Sequence, residues 1–354
     1  MTTISAARVV TPGGVLTPGA VEIDDGRIGA VSAGATGPPD ITLAPGLVDL
    51  QVNGVGEVGV ADADGDDWAD LDRRLVAQGV TAWCPTLVSR PLDAYEAPLA
   101  RIAAAASRPG PVPAVLGAHL EGPFLGGAPG AHRRELIRAF DRAWLDRLPD
   151  IVAMVTVAPE LDGAADVVRT LDRRGVVVAL GHSTASYDQA RDAAAAGARL
   201  VTHCFNGMAA FHHREPGLVG AALTDERLKL SLIADLVHVH AAGLALAFRA
   251  KGPGGVVLVT DAVALEAVGG APRLAGGTLA GSCLTMDEAV ANVVRFAGVT
   301  LEDAVRAAST NPADVLGEGG RGRIAVGGRA DLVALDPDLQ VAATWIGGEQ
   351  VYER

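Results

Sequence analysis

The 354-residue sequence predicts an α/β fold, a (β/α)8 barrel carrying a small β domain assembled from the two chain ends. Three observations lead to it. Between about Pro45 and Gly320, eight short apolar runs alternate with helix-patterned stretches, which favours a closed parallel barrel over an open sheet. Both ends of the chain carry short strand patterns punctuated by Gly and turn dipeptides. Hydrophobic residues make up 49% of the chain but aromatics only 4%, so the core those runs build is aliphatic.

At the N-terminal end, VEIDDGRIGAV alternates apolar and polar residues on either side of Asp25-Gly26, a dipeptide that accepts the positive φ angles of a tight hairpin turn. GRIAVGGRADLVALDPD and VAATWIGGEQVYE repeat the pattern at the other end. Because chain termini often lie close together, residues 1–44 and 321–354 are read as one small β domain and 45–320 as the barrel. The candidate barrel strands are LVDLQV, VTAWCPTLV, AVLGAHL, VAMVTVA, VVVALGH, RLVTHCF, LKLSLIAD and GVVLVTD. Helical patterns such as RRELIRAFDRAWLDRL and YDQARDAAAAGA lie between them, and LTMDEAVANVVRFAG and LEDAVRAAST follow the eighth. The last of these opens with Thr300 and has Asp303 three positions on, a start like a capping box. The most apolar long window, Ser231 to Phe248, contains Asp235, His238, His240 and Gly243, and reads as strand, polar loop and helix rather than a membrane span.

A net charge of −13 without any block of Lys and Arg disfavours nucleic acid and anionic membranes as partners, and an anionic substrate would need a local basic pocket. Cys84, Cys204 and Cys283 are far apart and form no CxxC, so they are expected to be free packing thiols in a reducing compartment. MTTISAARVVTPGG has no basic segment followed by a long apolar one, and a cytoplasmic location is the expectation.

Glu121, His182, His203 and Asp261 each stand where an apolar run gives way to a loop. If the runs are parallel strands, their C-terminal ends share one face, where nitrogen and carboxylate ligands of a divalent ion can converge. A buried Glu121 needs a partner, either a metal or a structural salt bridge. His119, two residues before it, is expected to be a satisfied core histidine rather than a ligand. One helix and its return separate His182 from His203, which places them on adjacent strand ends, either as structural histidines or, as a facing pair, as imidazole ligands for zinc or ferrous iron. Three protein ligands leave an open coordination position, the pattern of a catalytic site. Asp261 reads either as a helix cap or loop turn, or as a carboxylate that carries protons beside the ion. In LVDLQVNG, period-two alternation puts Asp49, Gln51 and Asn53 on one face, facing either the site or solvent.

Taken in order from about Pro45 to Asp336, PGLVDLQVNG, HLEGPF, VTVAPE, GHS, THCFNGM, REPGLVGAAL, IADLVHVH, LVTDA, GSCLTMDEAV, the NPA of STNPADVLG, and ADLVALD resemble the N-acetylglucosamine-6-phosphate deacetylases of the amidohydrolase superfamily. The resemblance implies a distorted barrel with a β-sandwich built from both chain ends. It implies hydrolysis of the 2-acetamido group of a 6-phosphorylated amino sugar, with Glu121, His182 and His203 as metal ligands and Asp261 as general base and acid. It places His132 near the substrate carbonyl, and Asn206, the backbone at Gly207, Arg214 and His238 around the phosphate, with Arg214 reaching across a homodimer interface. Many amidohydrolases hold a second metal on a His-x-His pair where this chain has Gln51 and Asn53. Amides are poorer ligands than imidazole, so one divalent ion per subunit, Zn2+ or Fe2+, is expected. A related amidohydrolase acting on another N-acetyl amino sugar phosphate, such as N-acetylgalactosamine 6-phosphate, or on an N-acyl amino acid, remains open on sequence. A non-catalytic barrel is disfavoured because all four of Glu121, His182, His203 and Asp261 are present.

Overall fold

The structure, a computed structural model, describes residues 1–34, 37–267 and 270–354. Eight parallel strands make the barrel: β1 (Leu47–Val52), β2 (Val80–Val88), β3 (Ala118–Glu121), β4 (Val152–Val157), β5 (Val177–Leu180), β6 (Leu200–Val201), β7 (Lys229–Ile233) and β8 (Val256–Val259). Each falls within one of the eight apolar runs or extends it by a residue. Neighbours pair in parallel from β1 to β8. Between β8 and β1 the barrel closes only at its C-terminal end, where the Asp261 N–H donates to Gln51 O at 2.9 Å and the Asn53 N–H to Ala262 O at 2.8 Å. Several features distort it, among them these. The register of β1 and β2 slips between Trp83 and Pro85, where proline has no N–H to give to the ladder, and β6 is two residues long. The Val- and Leu-rich strands are buried on both faces, as a parallel sheet covered by helices requires.

The helices start where capping residues direct them. Ser186 accepts from the Gln189 N–H while the Gln189 side chain accepts from the Ser186 N–H, and helix Tyr187–Ala196 ends at Gly197. Thr285 and Glu288 do the same for Met286–Ala297, and Thr300 accepts from the Asp303 N–H at 3.2 Å to open Leu301–Ala308. The window from Ser231 to Phe248 resolves into β7, a loop and helix Ala241–Lys251. Among the described residues, no helix is long and apolar enough to cross a membrane.

One helix pattern fails. RRELIRAFDRAWLDRL forms only a 3-10 turn, Arg134–Leu136, and a single helical turn, Arg142–Leu145, with extended backbone between. Tertiary contacts win over the local period. The Arg138 N–H is drawn to Pro123 O, and Phe140 and Trp144 pack on Phe124 at centroid distances of 5.4 and 5.8 Å. Cys283 also departs from expectation: Cys84 and Cys204 are buried packing thiols, but Cys283 is exposed.

The chain ends form two sheets. One is Thr2–Ala6, Gly19–Asp24 and Arg27–Ala33, whose hairpin turns at Asp25 and Gly26 with φ of 45° and 73°. The other is six-stranded and interleaves both ends: Leu332–Leu335 lies antiparallel to Thr42–Pro45, with Val341–Ile346 and Glu349–Glu353 outside it and Arg8–Thr11 and Gly14–Leu16 on the far side. Val9, Val21, Ile23, Ile28, Leu43 and Leu332 fill a small core of their own.

Candidate active site

Four side chains meet at the C-terminal end of the barrel. Glu121 is the last residue of β3, and His182, His203 and Asp261 each lie two residues beyond β5, β6 and β8. The last three share a backbone feature invisible in sequence: φ values of 49°, 31° and 50°, in the left-handed region. Such a conformation costs about 1–3 kcal/mol for a residue with a side chain and persists where surrounding structure holds it. The sharp bend turns each side chain inward, and all four residues are at most 7% exposed.

The Nε2 atoms of His182 and His203 each lie 2.8 Å from Glu121 Oε1 and 3.1 Å from each other. His132 Nε2 stands 3.8 Å from the same oxygen, and Glu121, His132 and His182 offer ligand atoms within 4.8 Å of one another. Burial opposes ionisation of Glu121, but the neighbouring imidazoles of His132, His182 and His203 hold its carboxyl well below the usual range. Burial pushes His182 down to about 4, whereas His203, where burial is outweighed by Glu121 and by the Asp261 charge, is raised to about 9. The cluster therefore concentrates one carboxylate and two facing ring nitrogens that compete for a single proton. A divalent cation satisfies all three at once, so the donor set fits a metal ion. His182 Nδ1 is turned to Ala128 O at 3.3 Å, the second contact that orients a ligating imidazole, whereas His203 Nδ1 is buried without a partner among the described residues.

His119 is not part of this cluster. Its Nδ1 meets Leu50 O at 3.1 Å and its Nε2 meets Thr156 Oγ1 at 2.7 Å, a satisfied core histidine.

The tautomer of His132 follows from its neighbours. The Ser89 N–H donates to Nδ1 at 3.4 Å and Ser89 Oγ lies 2.9 Å from it, so Nδ1 accepts and Nε2 keeps its hydrogen, aimed toward Glu121 and the cavity. Ser89, just past the end of β2, went unrecognised in the sequence because a lone Ser after an apolar run carries no signal.

Gln51 Nε2 and Asn53 Nδ2 both donate to Asp261 Oδ1, at 3.0 and 2.8 Å. The polar row of β1 thus faces the site. Behind it, Asp49 Oδ2 accepts from Thr260 Oγ1 at 2.6 Å and Oδ1 from the Gln51 N–H at 3.1 Å. Burial, opposed by the Thr260 and Gln51 bonds, raises Asp49 to about 7. Burial and the Glu121 charge raise Asp261 to about 8, and a cation beside it would lower that value.

Asn53, Glu121, His132, His182, His203 and Asp261 line a cavity of about 610 Å³ that also takes in Asn206, Gly207 and His238, a size that suits a small ligand. Asp235 fixes His238 by accepting from its N–H at 2.7 Å and meeting Nδ1 at 2.6 Å. Gly207, at φ 60°, has no room for a side chain, since a Cβ there would stand 2.7 Å from His182 Nδ1. Arg214 is the expected residue that the fold does not bring in. It is exposed, lies against His213 Nε2 at 2.9 Å, and is not among the residues lining its own chain's cavity. The cavity's arginines are instead Arg133 and Arg273. Arg273 was missed, although it is the single cation in the Gly-rich stretch between β8 and helix Met286–Ala297.

An α/β barrel with a carboxylate, two imidazoles and an aspartate gathered at its strand ends defines a hydrolase of the metal-dependent barrel class. The amidohydrolase family matches residues 42–351, and the chain belongs to that family. It is 40% identical to the N-acetylgalactosamine-6-phosphate deacetylase of Escherichia coli O157:H7, with 98% of each chain covered. It is also 40% identical to the human N-acetylglucosamine-6-phosphate deacetylase, over 88% of this chain and 83% of the other. Among solved structures, an Asp-to-Ala variant of the Mycobacterium smegmatis N-acetyl-D-glucosamine-6-phosphate deacetylase, in complex with N-acetyl-D-glucosamine-6-phosphate, superposes with a TM-score of 0.93 at 36% identity, covering 99% of both chains. The Thermotoga maritima N-acetylglucosamine-6-phosphate deacetylase gives 0.93 at 33% identity and full coverage of both.

Proposed function

We propose that this chain hydrolyses N-acetyl-D-glucosamine 6-phosphate to D-glucosamine 6-phosphate and acetate. The observation that carries this reading is the meeting of Glu121, His182 and His203 beside Asp261 in one cavity, in a chain 40% identical to a deacetylase of that substrate. Glu121, His182 and His203 would hold one divalent ion, Zn2+ or Fe2+, both of which accept this donor set. Such an ion lowers the pKa of water and polarises a carbonyl oxygen. Asp261 takes one proton from the attacking water and passes it to the amide nitrogen as the C–N bond breaks, so the amine leaves neutral; the water oxygen departs in the acetyl product, whose remaining proton is lost to solvent to give acetate. His132 donates through its Nε2–H to the carbonyl oxygen as negative charge builds there. Asn206, the Gly207 backbone and His238 receive the phosphate, whose dianion is suited to several converging donors.

Acetate release from metal-loaded protein, measured with N-acetylglucosamine and N-acetylgalactosamine, each with and without 6-phosphate, tests the proposal. The galactosamine epimer is the second reading, favoured by the relative that matches over 98% of both chains. Release dependent on the 6-phosphate supports the reading; no release from any of the four sugars contradicts it.

Ser89→Ala removes a hydrogen bond that orients His132, and kcat is expected to fall ~2–10-fold, the worth of one such bond, with metal content unchanged. An unaltered kcat would take Ser89 out of this role. We further infer a homodimer in which Arg214 serves the neighbouring subunit's cavity, supported by its exposure beside Phe211, itself 55% exposed. Arg214→Ala should then raise KM ~10–100-fold for the phosphorylated sugar alone, the cost of a charge-assisted contact. A variant that keeps its preference for phosphorylated substrate would contradict this. The buried free thiols of Cys84 and Cys204 support a cytoplasmic location.

A further inference from the structure

We propose that Gln51 and Asn53 are positioning residues that clamp one oxygen of Asp261, so that the proton in the reaction is handled by the other, Oδ2. The inference rests on the proposed role of Asp261. Both amide nitrogens reach the same atom, Oδ1, at 3.0 and 2.8 Å. Ionised, as a cation in the cluster would keep it, the Asp261 carboxylate only accepts, so each amide presents its nitrogen and not its oxygen. That orientation leaves Asn53 Oδ1 buried with no partner among the described residues, a cost the side chain bears to keep its donor on the aspartate. A proton arriving at Oδ1 would displace two donors. A proton arriving at Oδ2, which has no hydrogen-bond partner among the described residues, displaces none, and Asp261 lines the cavity. Two donors to one atom also fix the carboxylate plane, and because they are neutral they do so without cancelling the charge that attracts the proton.

The clamp is held in register from behind. The Asp261 N–H donates to Gln51 O at 2.9 Å and Asn53 N–H to Ala262 O at 2.8 Å, so both strands move together. Asp49 ties Thr260, the residue before Asp261, to the Gln51 backbone. At these two positions the barrel seam therefore presents a pair of donors to Asp261.

The test is acetate release by Gln51→Ala, Asn53→Ala, the double variant and the near-isosteric Asn53→Asp, with metal content and Tm measured on each. Either amide alone still engages Oδ1, so each single alanine variant should lose ~3–10-fold in kcat. The double variant should lose ~100-fold or more, beyond the product of the singles, because the two share one partner. KM should stay within about twofold and metal content should not change, the signature of a contact that serves the transition state. Asn53→Asp keeps the shape but turns a donor into an acceptor, and should fall at least as far as Asn53→Ala. A double variant with kcat within about twofold of wild type overturns the proposal, as does a loss of kcat that tracks loss of metal or of folded protein. Wild-type protein that releases no acetate would defeat the proposed reaction instead. The clamp is then decided by crystals of the double variant: a displaced or multiply oriented Asp261 carboxylate supports it, and an unmoved one overturns it.

Discussion

Asp261→Asn is expected to lower turnover by about 10²–10⁴-fold, the usual contribution of a positioned acid-base group, while metal content and fold stay as in the wild type. The substitution is nearly isosteric. Gln51 and Asn53 can still donate to the remaining oxygen at the Oδ1 position, so the side chain keeps its place and the amide nitrogen occupies that of Oδ2. What is lost is the lone pair that takes the proton and the charge that draws it. Acetate release and metal analysis on the same preparation check the prediction. Turnover within tenfold of wild type would remove Asp261 from proton transfer, and loss of metal alongside activity would make it a ligand.

Glu121→Gln is expected to be as severe for a different reason. Oε1 lies 2.8 Å from both imidazole nitrogens, and its negative charge offsets that of any cation held there. Substitution should weaken metal binding by more than the ~10–100-fold that outer-contact changes cost, and activity should fall with occupancy. Stripping the wild type with a chelator should abolish acetate release, and adding Zn2+ or Fe2+ back should restore it in wild type but not in Glu121→Gln at equal metal. Restoring metal should also raise the wild-type Tm, because a ligand that binds only the folded state stabilises it, by ~4 kcal/mol at a thousandfold excess over Kd. Wild-type activity indifferent to chelation would contradict a metal-dependent reaction.

Much of the fold was legible because its signals are local. All eight barrel strands coincide with apolar runs, and Thr300 announces its helix through side-chain chemistry that acts within four residues; the caps at Ser186 and Thr285 emerge only in the structure. The segment 133–148 was misread for the complementary reason: its helical period is real, but Phe140 and Trp144 find partners on Phe124, distant in sequence and decisive in packing. At the site, Glu121, His182, His203 and Asp261 were readable because barrel topology brings every strand end to one face. The positive φ of the last three is a property of the folded bend and leaves no mark in composition. Gln51 and Asn53 were recognised as replacing metal ligands, yet their partner, Asp261 Oδ1, lies across a seam closed by residues about two hundred positions apart. Arg273 and Ser89 lacked any pattern that separates a cavity residue from a loop one.

The central claim is that one carboxylate and two imidazoles hold a single divalent ion beside Asp261. Anomalous diffraction from crystals of Zn2+-loaded protein, recorded across the zinc edge, tests it most directly. The account predicts one strong peak per chain, within bonding distance of Glu121 and of the Nε2 atoms of His182 and His203. No peak in that cluster, or a second of equal strength at Gln51 and Asn53, would contradict it.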